Sequence, residues 1–335
     1  MRMSFYISVL FLIAGILSIN ISFAQLKWQN VDSLFQPLPS SVHVYFTDSP
    51  IDTAPFRAYY LIADLKDKKL DFTVDTAHDR RLTPTKFFEK DNKPLLVVNT
   101  TFFSYETNRS LNVVIKDKKL VGYNIHTING RGKDTFTYRH PFGSAIGISK
   151  KREADVTWLY TDSSRKYPYM LPFPVLWKDS SISPSVDSIN EKTKQMMQHL
   201  KMGNNVLKYK WKVKTAVGGG PVLLEIGEIN IANEEELKFA GKAIDDKHPR
   251  TAMGYTKDSK LIILMIEGRN KVAHGATLTQ EAQIFKDLGC WEALNLDGGG
   301  SSCMLVNGKE TIKVSDAAGQ RPVPAVFIIK ELRLP

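Results

Sequence analysis

Three apolar runs of the sequence end in polar side chains that could carry chemistry. One run stops at Asn99 and a second at Glu267. In the third run, a period of two places Asn295 and Asp297 on the same face of a strand. A carboxylate at a buried strand end is costly to desolvate unless a cation or a hydrogen-bond donor meets it. Each polar residue alone could simply begin a solvated loop, but the three ends together predict a ligand-binding site.

A run of glycines directly follows Asp297 and favours an anion-binding loop. Without Cβ atoms, the backbone can turn its N–H groups inward and a ligand can approach closely. A hairpin turn centred near Gly299 and Gly300 is the alternative for this run taken alone, and residues 218–220 have the same ambiguity. The residues of the two runs that we predict to contact a ligand are Gly219, Gly220, Gly298, Gly299, Gly300 and Ser301.

Basic and hydroxyl side chains near the same motifs could supply the complementary charge. Arg250 begins a strand pattern, and a guanidinium can hold two phosphate oxygens at once. Thr251 adds a hydroxyl donor, and Arg269 follows Glu267 by two residues. We predict that Arg250, Thr251 and Arg269 bind the substrate, although an exposed arginine at the start of a strand is common.

Strands must position most of these residues, because strand patterns outnumber helix patterns. Two hairpins are predicted, with turns at residues 116–119 and 257–259. Capping signals predict one helix that runs from Asn233 towards Ile244 and another that begins at Thr277. Strands and helices do not alternate regularly, so we predict an α+β fold, with a mixed, mostly antiparallel sheet and a few helices packed against it.

The first residues of the chain are predicted to be a secretory signal peptide, residues 1–24. One charge, Arg2, precedes an apolar run that is short for a membrane span. The mature protein is therefore expected to be exported, to the periplasm or the medium, and not to cross a membrane. We divide the rest into a β-rich N-terminal region, residues 25–94, and a main domain, residues 95–335, with an insertion at about 150–214.

Composition and charge limit the classes of partner. Hydrophobic residues make up 43% of the 335-residue chain, as in a folded globular protein, and the formal net charge is +10. Seven lysines within residues 192–214 predict either a polyanion-binding strip or, as we favour, the solvated face of a strand and of a weak helix at about 187–202. We predict no nucleic-acid partner.

Cys290 and Cys303 are predicted to be buried thiols, because a hairpin through the glycine run would hold them too far apart for a disulfide.

Several motifs, in order along the chain, resemble the phosphodiester glycosidase family. The resemblance covers roughly residues 95–330. Two positions depart from the family pattern: Glu267, where aspartate is more usual, and His274, where a small residue is more usual. The motifs that carry the resemblance are Asn99-Thr100-Thr101-Phe102-Phe103, Gly218-Gly219-Gly220-Pro221, His248-Pro249-Arg250-Thr251, Glu267-Gly268-Arg269, Gly275-Ala276-Thr277-Leu278, Asn295-Leu296-Asp297-Gly298-Gly299-Gly300-Ser301-Ser302 and the segment 315–323.

The resemblance implies hydrolysis of a sugar-1-phosphodiester to free sugar and a phosphomonoester. It makes Asp297 and Glu267 the candidate catalytic carboxyls, without assigned acid, base or nucleophile roles, and makes a sugar phosphate or glycan the partner. A binding module for surface glycans would use the same cleft without turnover. A metal-dependent phosphodiesterase would instead place Asp297, Glu267 and Asn99 around Mg²⁺, Mn²⁺ or Ca²⁺, so a divalent cation is the one cofactor that the sequence leaves open.

Overall fold

The computed structural model describes most of the chain after the predicted signal peptide. The predicted signal peptide and the predicted helix at about 187–202 lie outside the described residues. Within the described residues, no helix has the length and apolar character needed to span a bilayer. The described residues are 26–125, 127–129, 138–171, 173–174, 176–177, 209–236 and 238–332.

Strands dominate these residues, and helices are few. The described helices are α1 (Pro84–Lys90), α2 (Asn233–Glu236) and α3 (Leu278–Asp287). The strands, in chain order, are β1 (Gln29–Asn30), β2 (Val42–Thr47), β3 (Ala58–Asp64), β4 (Leu70–Thr76), β5 (Leu96–Asn99), β6 (Val114–Lys116), β7 (Lys119–Gly122), β8 (Ile128–Asn129), β9 (Tyr138–Pro141), β10 (Gly143–Ile148), β11 (Ala154–Tyr160), β12 (Tyr169–Leu171), β13 (Leu176–Trp177), β14 (Tyr209–Lys210), β15 (Thr215–Gly218), β16 (Val222–Glu225), β17 (Glu228–Ile229), β18 (Arg250–Thr256), β19 (Lys260–Ile266), β20 (Cys290–Asn295), β21 (Met304–Val306), β22 (Lys309–Glu310) and β23 (Ala325–Glu331).

The strands form three large sheets and one small sheet. Sheet I has the order β1-β2-β3-β19-β18-β20-β16-β17, sheet II the order β14-β12-β11-β10-β15-β6-β7, and sheet III the order β22-β21-β5-β23-β4. The small sheet joins β13, β9 and β8. Every pairing among the described strands is antiparallel, so the fold is dominated by antiparallel sheets as predicted, without the parallel pairs that a mixed sheet would contain.

The main apolar core lies between sheet I and the other two large sheets. Met253 and Leu294 of sheet I join Val217 of sheet II and Val98 and Phe327 of sheet III in one buried cluster. Full burial of one such side chain is worth about 1.5–3 kcal/mol relative to leaving it in water. This shared core fixes the three sheets against one another, and their strand ends meet at its rim.

Two helices cover the outer faces of sheets I and III. The Thr277 side chain caps α3 within a capping box, as predicted, and Phe285 of α3 packs on the outer face of sheet I. Phe87 of α1 packs in the same way on sheet III, where it contacts Val97 and Leu305 in a smaller buried cluster. Each helix therefore buries an apolar face, and α3 buries the polar side chains of Gln280 and Glu281 as well.

The helix predicted from Asn233 towards Ile244 is interrupted. It forms only the single turn of α2, followed by a separate 3₁₀ turn at Gly241–Ile244. Two contacts explain the interruption. The Asn233 side chain bonds the backbone N–H and C=O of Phe239, and Glu236 turns inward, where it is 2% exposed and accepts three hydrogen bonds.

The regions outside the resemblance contribute strands to the same sheets. In the N-terminal region, β2 and β3 lie in sheet I and β4 lies in sheet III. In the predicted insertion, β11, β12 and β14 extend sheet II. The end of that segment alternates as the solvated-face interpretation predicts, because Trp211 and Val213 are buried while Lys210 and Lys212 face water.

The glycine run after Asp297 does not form the hairpin that we kept as the alternative for this run. It forms a 3₁₀ turn at Gly299–Ser301 that carries the chain from β20 in sheet I to β21 in sheet III. Because β18 and β16 already occupy both edges of β20, β21 pairs with β5 instead.

Cys290 and Cys303 are free buried thiols, as predicted. The hairpins at β6–β7 and β18–β19 are confirmed.

Candidate active site

Strand ends that carry predicted site residues meet at one end of sheet I. Across the antiparallel pairs, Arg250 lies opposite Ile266 and Ala252 lies opposite Asn295. The start of β18 therefore lies beside the ends of β19 and β20, which Glu267 and Asp297 follow directly. This geometry explains why polar residues separated by dozens of positions in the sequence share one neighbourhood.

The Asp297 carboxyl is partly open to solvent, but protein atoms surround it densely. Burial raises the pKa of Asp297 to about 7. Hydrogen bonds from the Ser301 hydroxyl and the Gly298 N–H, together with the charge of Arg321, oppose this rise without cancelling it. The carboxyl can therefore hold or release a proton near neutral pH, as a general acid or base must.

Asn99 and Thr251 lie beneath Asp297 and hold its backbone. Asn99 Nδ2 donates to the carbonyl oxygen of Asp297 at 2.6 Å, and the Thr251 hydroxyl donates to Asn99 Oδ1 at 2.9 Å. The N–H of Asp297 donates to the Thr100 carbonyl at 2.7 Å. Asn99 and Thr251 are 0% exposed, so these two predicted contact residues are placed to position Asp297.

Arg269 lies over the glycine run. Its guanidinium nitrogens are 3.1 and 3.3 Å from the point that a Cβ atom would occupy at Gly299, which has φ +61°. Nη2 of Arg269 also lies 3.3 Å from Nδ1 of His248. Burial and the charges of Arg250 and Arg269 lower the pKa of His248, so its neutral ring accepts this bond. Arg269 is exposed and so can still meet a ligand.

Arg321 approaches the same run beside Asp297, and sequence reasoning did not nominate it. It forms a two-point ion pair with Asp316, at 2.7 and 2.8 Å, and its Nη1 lies 3.5 Å from Ser301 Oγ. A Cβ atom at Gly300 would overlap both Arg321 and Asp316, so only glycine permits this approach. The sequence does contain one signal for Arg321, because the segment 315–323 is among the motifs that carry the family resemblance. This segment does not follow a strand pattern, so the search for polar residues at strand ends did not include it.

Gly219 and Gly220 lie against β20, where they permit close packing. A Cβ atom at Gly219 would overlap the carbonyl of Asn295, and one at Gly220 would overlap Glu236 and Lys238. Asn295 Nδ2 donates to the Gly220 carbonyl at 2.7 Å. Within the described residues, Oδ1 of Asn295 has no hydrogen-bond partner although the residue is only 1% exposed.

Glu236 and Lys238 form a second charged pair that the sequence analysis did not nominate. Glu236 accepts from Ser144 Oγ at 2.6 Å, from Trp158 Nε1 at 3.0 Å and from the Val222 N–H at 2.9 Å. Burial raises the pKa of Glu236 and lowers that of Lys238, and each charge partly offsets the shift of the other. The glutamates of α2 therefore differ in their surroundings, since Glu236 faces inward and Glu234 faces water.

Arg250 does not join the group around Asp297. It is 3% exposed, and its Nε and Nη2 donate to the carbonyls of Ala276 and Asp246 at 3.0 and 3.1 Å. The fully buried Glu281 of α3 attracts it, and burial raises the pKa of Glu281 to about 8. The guanidinium therefore joins the segment before α3 to the chain before β18, and its contact with phosphate stays a prediction.

Glu267 is buried behind the loop that carries Arg269. It is 2% exposed, and its two oxygens accept from Asn270 Nδ2 at 3.0 Å and from the Lys313 N–H at 3.3 Å. Both bonds tie neighbouring loops together. This placement favours a positioning role for Glu267, with Asp297 left as the solvent-accessible carboxyl of the pair.

The charged groups around Asp297 suit an anion. Arg269 and Arg321 flank the glycine run from two sides, and a phosphate between them would gain charge-assisted hydrogen bonds. Among the described residues, no group of three or more His, Cys, Asp or Glu side chains is gathered as a metal site. Of the other two residues that a metal-dependent site would need, Asn99 accepts from Thr251 and Glu267 accepts from Asn270 and Lys313, and metal dependence stays a prediction.

The sequence model of the phosphodiester glycosidase family matches residues 92–330. The chain belongs to this family. A shorter match of 82 residues is 38% identical to the SPbeta prophage-derived uncharacterized protein YomE of Bacillus subtilis, and it spans 24% of this chain and 13% of that protein. The family match covers Asp297, both arginines that flank the glycine run, and the Glu236–Lys238 pair.

Solved structures share the fold. The zebrafish N-acetylglucosamine-1-phosphodiester alpha-N-acetylglucosaminidase catalytic domain, auto-inhibited by its pro-peptide, has a TM-score of 0.56 and 21% identity, over 92% of this chain and 89% of that one. A hypothetical protein from Synechocystis has a TM-score of 0.57 and 14% identity, over 90% of this chain and 63% of that one. At these identities the likeness concerns the fold alone.

Proposed function

We propose that this chain is an exported hydrolase that cleaves a sugar-1-phosphodiester into free sugar and a phosphomonoester. The observation that carries the proposal is the Asp297 carboxyl, whose pKa is about 7 and which lies at a glycine run flanked by two arginines. Membership of the phosphodiester glycosidase family supports the same class of reaction. Export rests on the predicted signal peptide alone.

In the proposed complex, Arg269 and Arg321 hold the phosphate over Gly299 and Gly300. A phosphomonoester is a good leaving group, so the main demand on the protein is to stabilise negative charge as the bond to the sugar breaks. Arginine supplies this well, because a guanidinium carries five N–H donors. In Arg321, Asp316 holds Nε and Nη2, which leaves Nη1 for a phosphate oxygen. Asp316 fixes the fork of Arg321 before substrate arrives, which lowers the entropy lost on binding.

Asp297 is the proposed catalytic carboxyl. At the sugar carbon it would stabilise developing positive charge or activate the attacking water, and both roles require the ionised form. Asn99 and Thr251 position it through its backbone. Glu267 positions the loop of Arg269 and is not proposed to touch the reacting atoms.

The test is turnover of a panel of sugar-1-phosphodiesters and nucleotide sugars by the mature protein, with free reducing sugar as the readout. We expect release from at least one member, unchanged by EDTA. Loss of turnover in EDTA, restored by Mg²⁺, Mn²⁺ or Ca²⁺, would instead support the metal-dependent phosphodiesterase. Binding of a panel member without release by the folded protein would support the glycan-binding module and contradict the hydrolase.

A further inference from the structure

Lys238 lies near the negative charge of Glu236, but its ammonium makes no hydrogen bond to any of the described residues. It is partly buried, yet no carboxylate lies within ion-pair distance of its Nζ in the described part of the chain. Its Nζ lies 5.2 Å from the centre of the Phe102 ring. An ammonium that is partly buried and has no acceptor in the described part of the chain is available to a ligand, because a new hydrogen bond would offset the cost of removing it from water.

Glu236 holds this lysine in place without using its donors. The Glu236 oxygens are occupied by Ser144, Trp158 and the Val222 N–H. The Lys238 side chain and the Glu236 carboxylate both approach the point where a Cβ atom would stand at Gly220. The Glu236 carboxylate therefore attracts Lys238 from beyond ion-pair distance, while its own hydrogen bonds go to other residues. Gly220 provides the space in which both side chains lie.

A small cavity opens at the pair. It has a volume of about 60 Å³, and its walls include Glu236, Lys238, Asn112 and Asn124. On this measure about 10–15 Å³ holds one water molecule, so the cavity has room for a substituent of a sugar ring. Asn112 also donates to the Gly219 carbonyl at 3.2 Å, which joins the cavity to the glycines of the site.

The order of strands places Lys238 on the opposite side of Asp297 from Arg269. In sheet I, β20 lies between β18 and β16. The glycine run leans towards β18, because the Gly299 N–H donates to the Pro249 carbonyl at 2.8 Å, and Arg269 lies on that run. Lys238 lies against Gly220, just before β16. A substrate over the end of β20 thus meets arginine on one side and Lys238 on the other.

We propose that Lys238 is the specificity residue for the sugar half of the substrate, donating hydrogen bonds from its ammonium to the oxygen of one ring substituent. The inference rests on the proposed function, because the phosphate against the arginines leaves the sugar over Gly219 and Gly220. Glu236 is then a positioning residue for Lys238. The ligand class is a sugar with a substituent that accepts a hydrogen bond. Because the negative charge of Glu236 already offsets part of the charge of Lys238, the substituent need not be an anion.

The test compares a series of deoxy and fluoro analogues of the best sugar-1-phosphodiester, each altered at one position, in the parent protein and in Lys238→Met. We expect the parent to lose about ten-fold or more in kcat/KM for the analogue that lacks the contacted oxygen. Lys238→Met should lose a similar factor on the full substrate and nothing further on that analogue, and Lys238→Arg should recover part of the loss. Equal discrimination by the parent and Lys238→Met at every position would overturn the proposal.

Lys257→Met is the matched control, because Lys257 also lies over an aromatic ring, with Nζ 3.6 Å from the centre of Trp291. It stands at the β18–β19 turn, at the far end of sheet I, and should keep the parent's discrimination. If the parent turns over no member of the panel, the proposed function fails, and Lys238 is then tested by calorimetric binding of the free sugars. Binding by the parent that Lys238→Met weakens about ten-fold or more would support the contact, and equal binding by both would overturn it.

Discussion

The ionisation of Asp297 links the chemistry of the site to the stability of the protein. Its pKa in the folded chain is about 7, against an ordinary value of 3.8, because burial disfavours the charged carboxylate. The proposed roles at the sugar carbon need that carboxylate. Activity should therefore rise with pH through the folded pKa, while the fold becomes less stable over the same range.

The stability effect can be measured with Asp297→Asn. A raised pKa gives a contribution to stability that is fully present below the unfolded value and is lost as pH rises through the folded value. The neutral amide has no such loss, so Asp297→Asn should lose less free energy of unfolding than the parent between about pH 5 and about pH 8. Urea unfolding at both pH values provides the comparison, and two proteins with the same change would contradict the raised pKa.

Arg321 carries a residue-scale prediction that the sequence alone did not suggest. Arg321→Lys keeps the positive charge but loses the two-point grip on Asp316 and the direction of Nη1 towards Ser301. We expect the variant to lose about 1.5–3 kcal/mol of transition-state stabilisation, which lowers kcat/KM roughly ten- to hundred-fold. Arg165→Lys is the control, since Arg165 forms an exposed ion pair with Asp162 at 3.3 Å in another part of the molecule. An unchanged kcat/KM in Arg321→Lys would remove this arginine from the site.

Some residues of the site can be identified from the sequence, and others can be identified only from tertiary contacts. Asp297 and Asn99 stood out because each lies at the end of an apolar strand pattern, which is a local signal. Arg321 lies in a loop without periodicity, so only tertiary structure shows that it reaches Ser301. Arg250 has the right chemical type for phosphate, but α3 and the chain before β18 bury it, and a sequence pattern does not reveal that competition.

At the scale of elements, the glycine run is the feature that lets sheets I and III share the site. Gly299 has positive φ and lies against Arg269, whereas Gly289, after α3, also has positive φ but has open space where a Cβ would stand. The two positions therefore separate backbone strain from contact with the arginine. This pair allows a matched test of the run.

Gly299→Ala and Gly289→Ala should both lose about 1 kcal/mol of stability from the left-handed backbone. Only Gly299→Ala should also displace Arg269 and lower the affinity for phosphate, because its methyl group would press on the guanidinium. Thermal unfolding measures the first effect, and phosphate protection of the melting temperature measures the second. If both variants bind phosphate like the parent, the run is only a turn and the proposed phosphate position is wrong.

The accuracy of the element predictions follows how local each signal is. The turns at Lys116–Lys119 and 257–259 and the start of α3 at Thr277 depend on residues close in sequence, and all three were predicted correctly. The alternative of a hairpin between β20 and β21 is wrong, because strands far along the chain decide which sheet each of the two joins. The interruption after α2 has the same origin, since the partners of Glu236 lie on β10, β11 and β16.

For the whole molecule, the structure indicates that the N-terminal region is part of the fold. β3 pairs with β19 over seven residues, from Ala58 to Asp64, and β4 pairs with β23 over the same number. A chain that begins at residue 95 would expose both β19 and β23 as long apolar edges. We expect it to aggregate or to lack a cooperative melting transition, as judged by soluble yield and circular dichroism. A soluble, cooperative and active fragment would contradict this integration.

The central claim is that Asp297 performs chemistry on a sugar phosphodiester. Its most direct test is the ratio of kcat/KM between Asp297→Asn and the parent, on the panel substrate that the parent releases fastest, alongside the melting temperature of each. We predict a loss of about a thousand-fold, within the range for a missing acid–base group, with a melting temperature close to or above that of the parent. A folded Asp297→Asn that retains activity within about ten-fold of the parent would contradict the account.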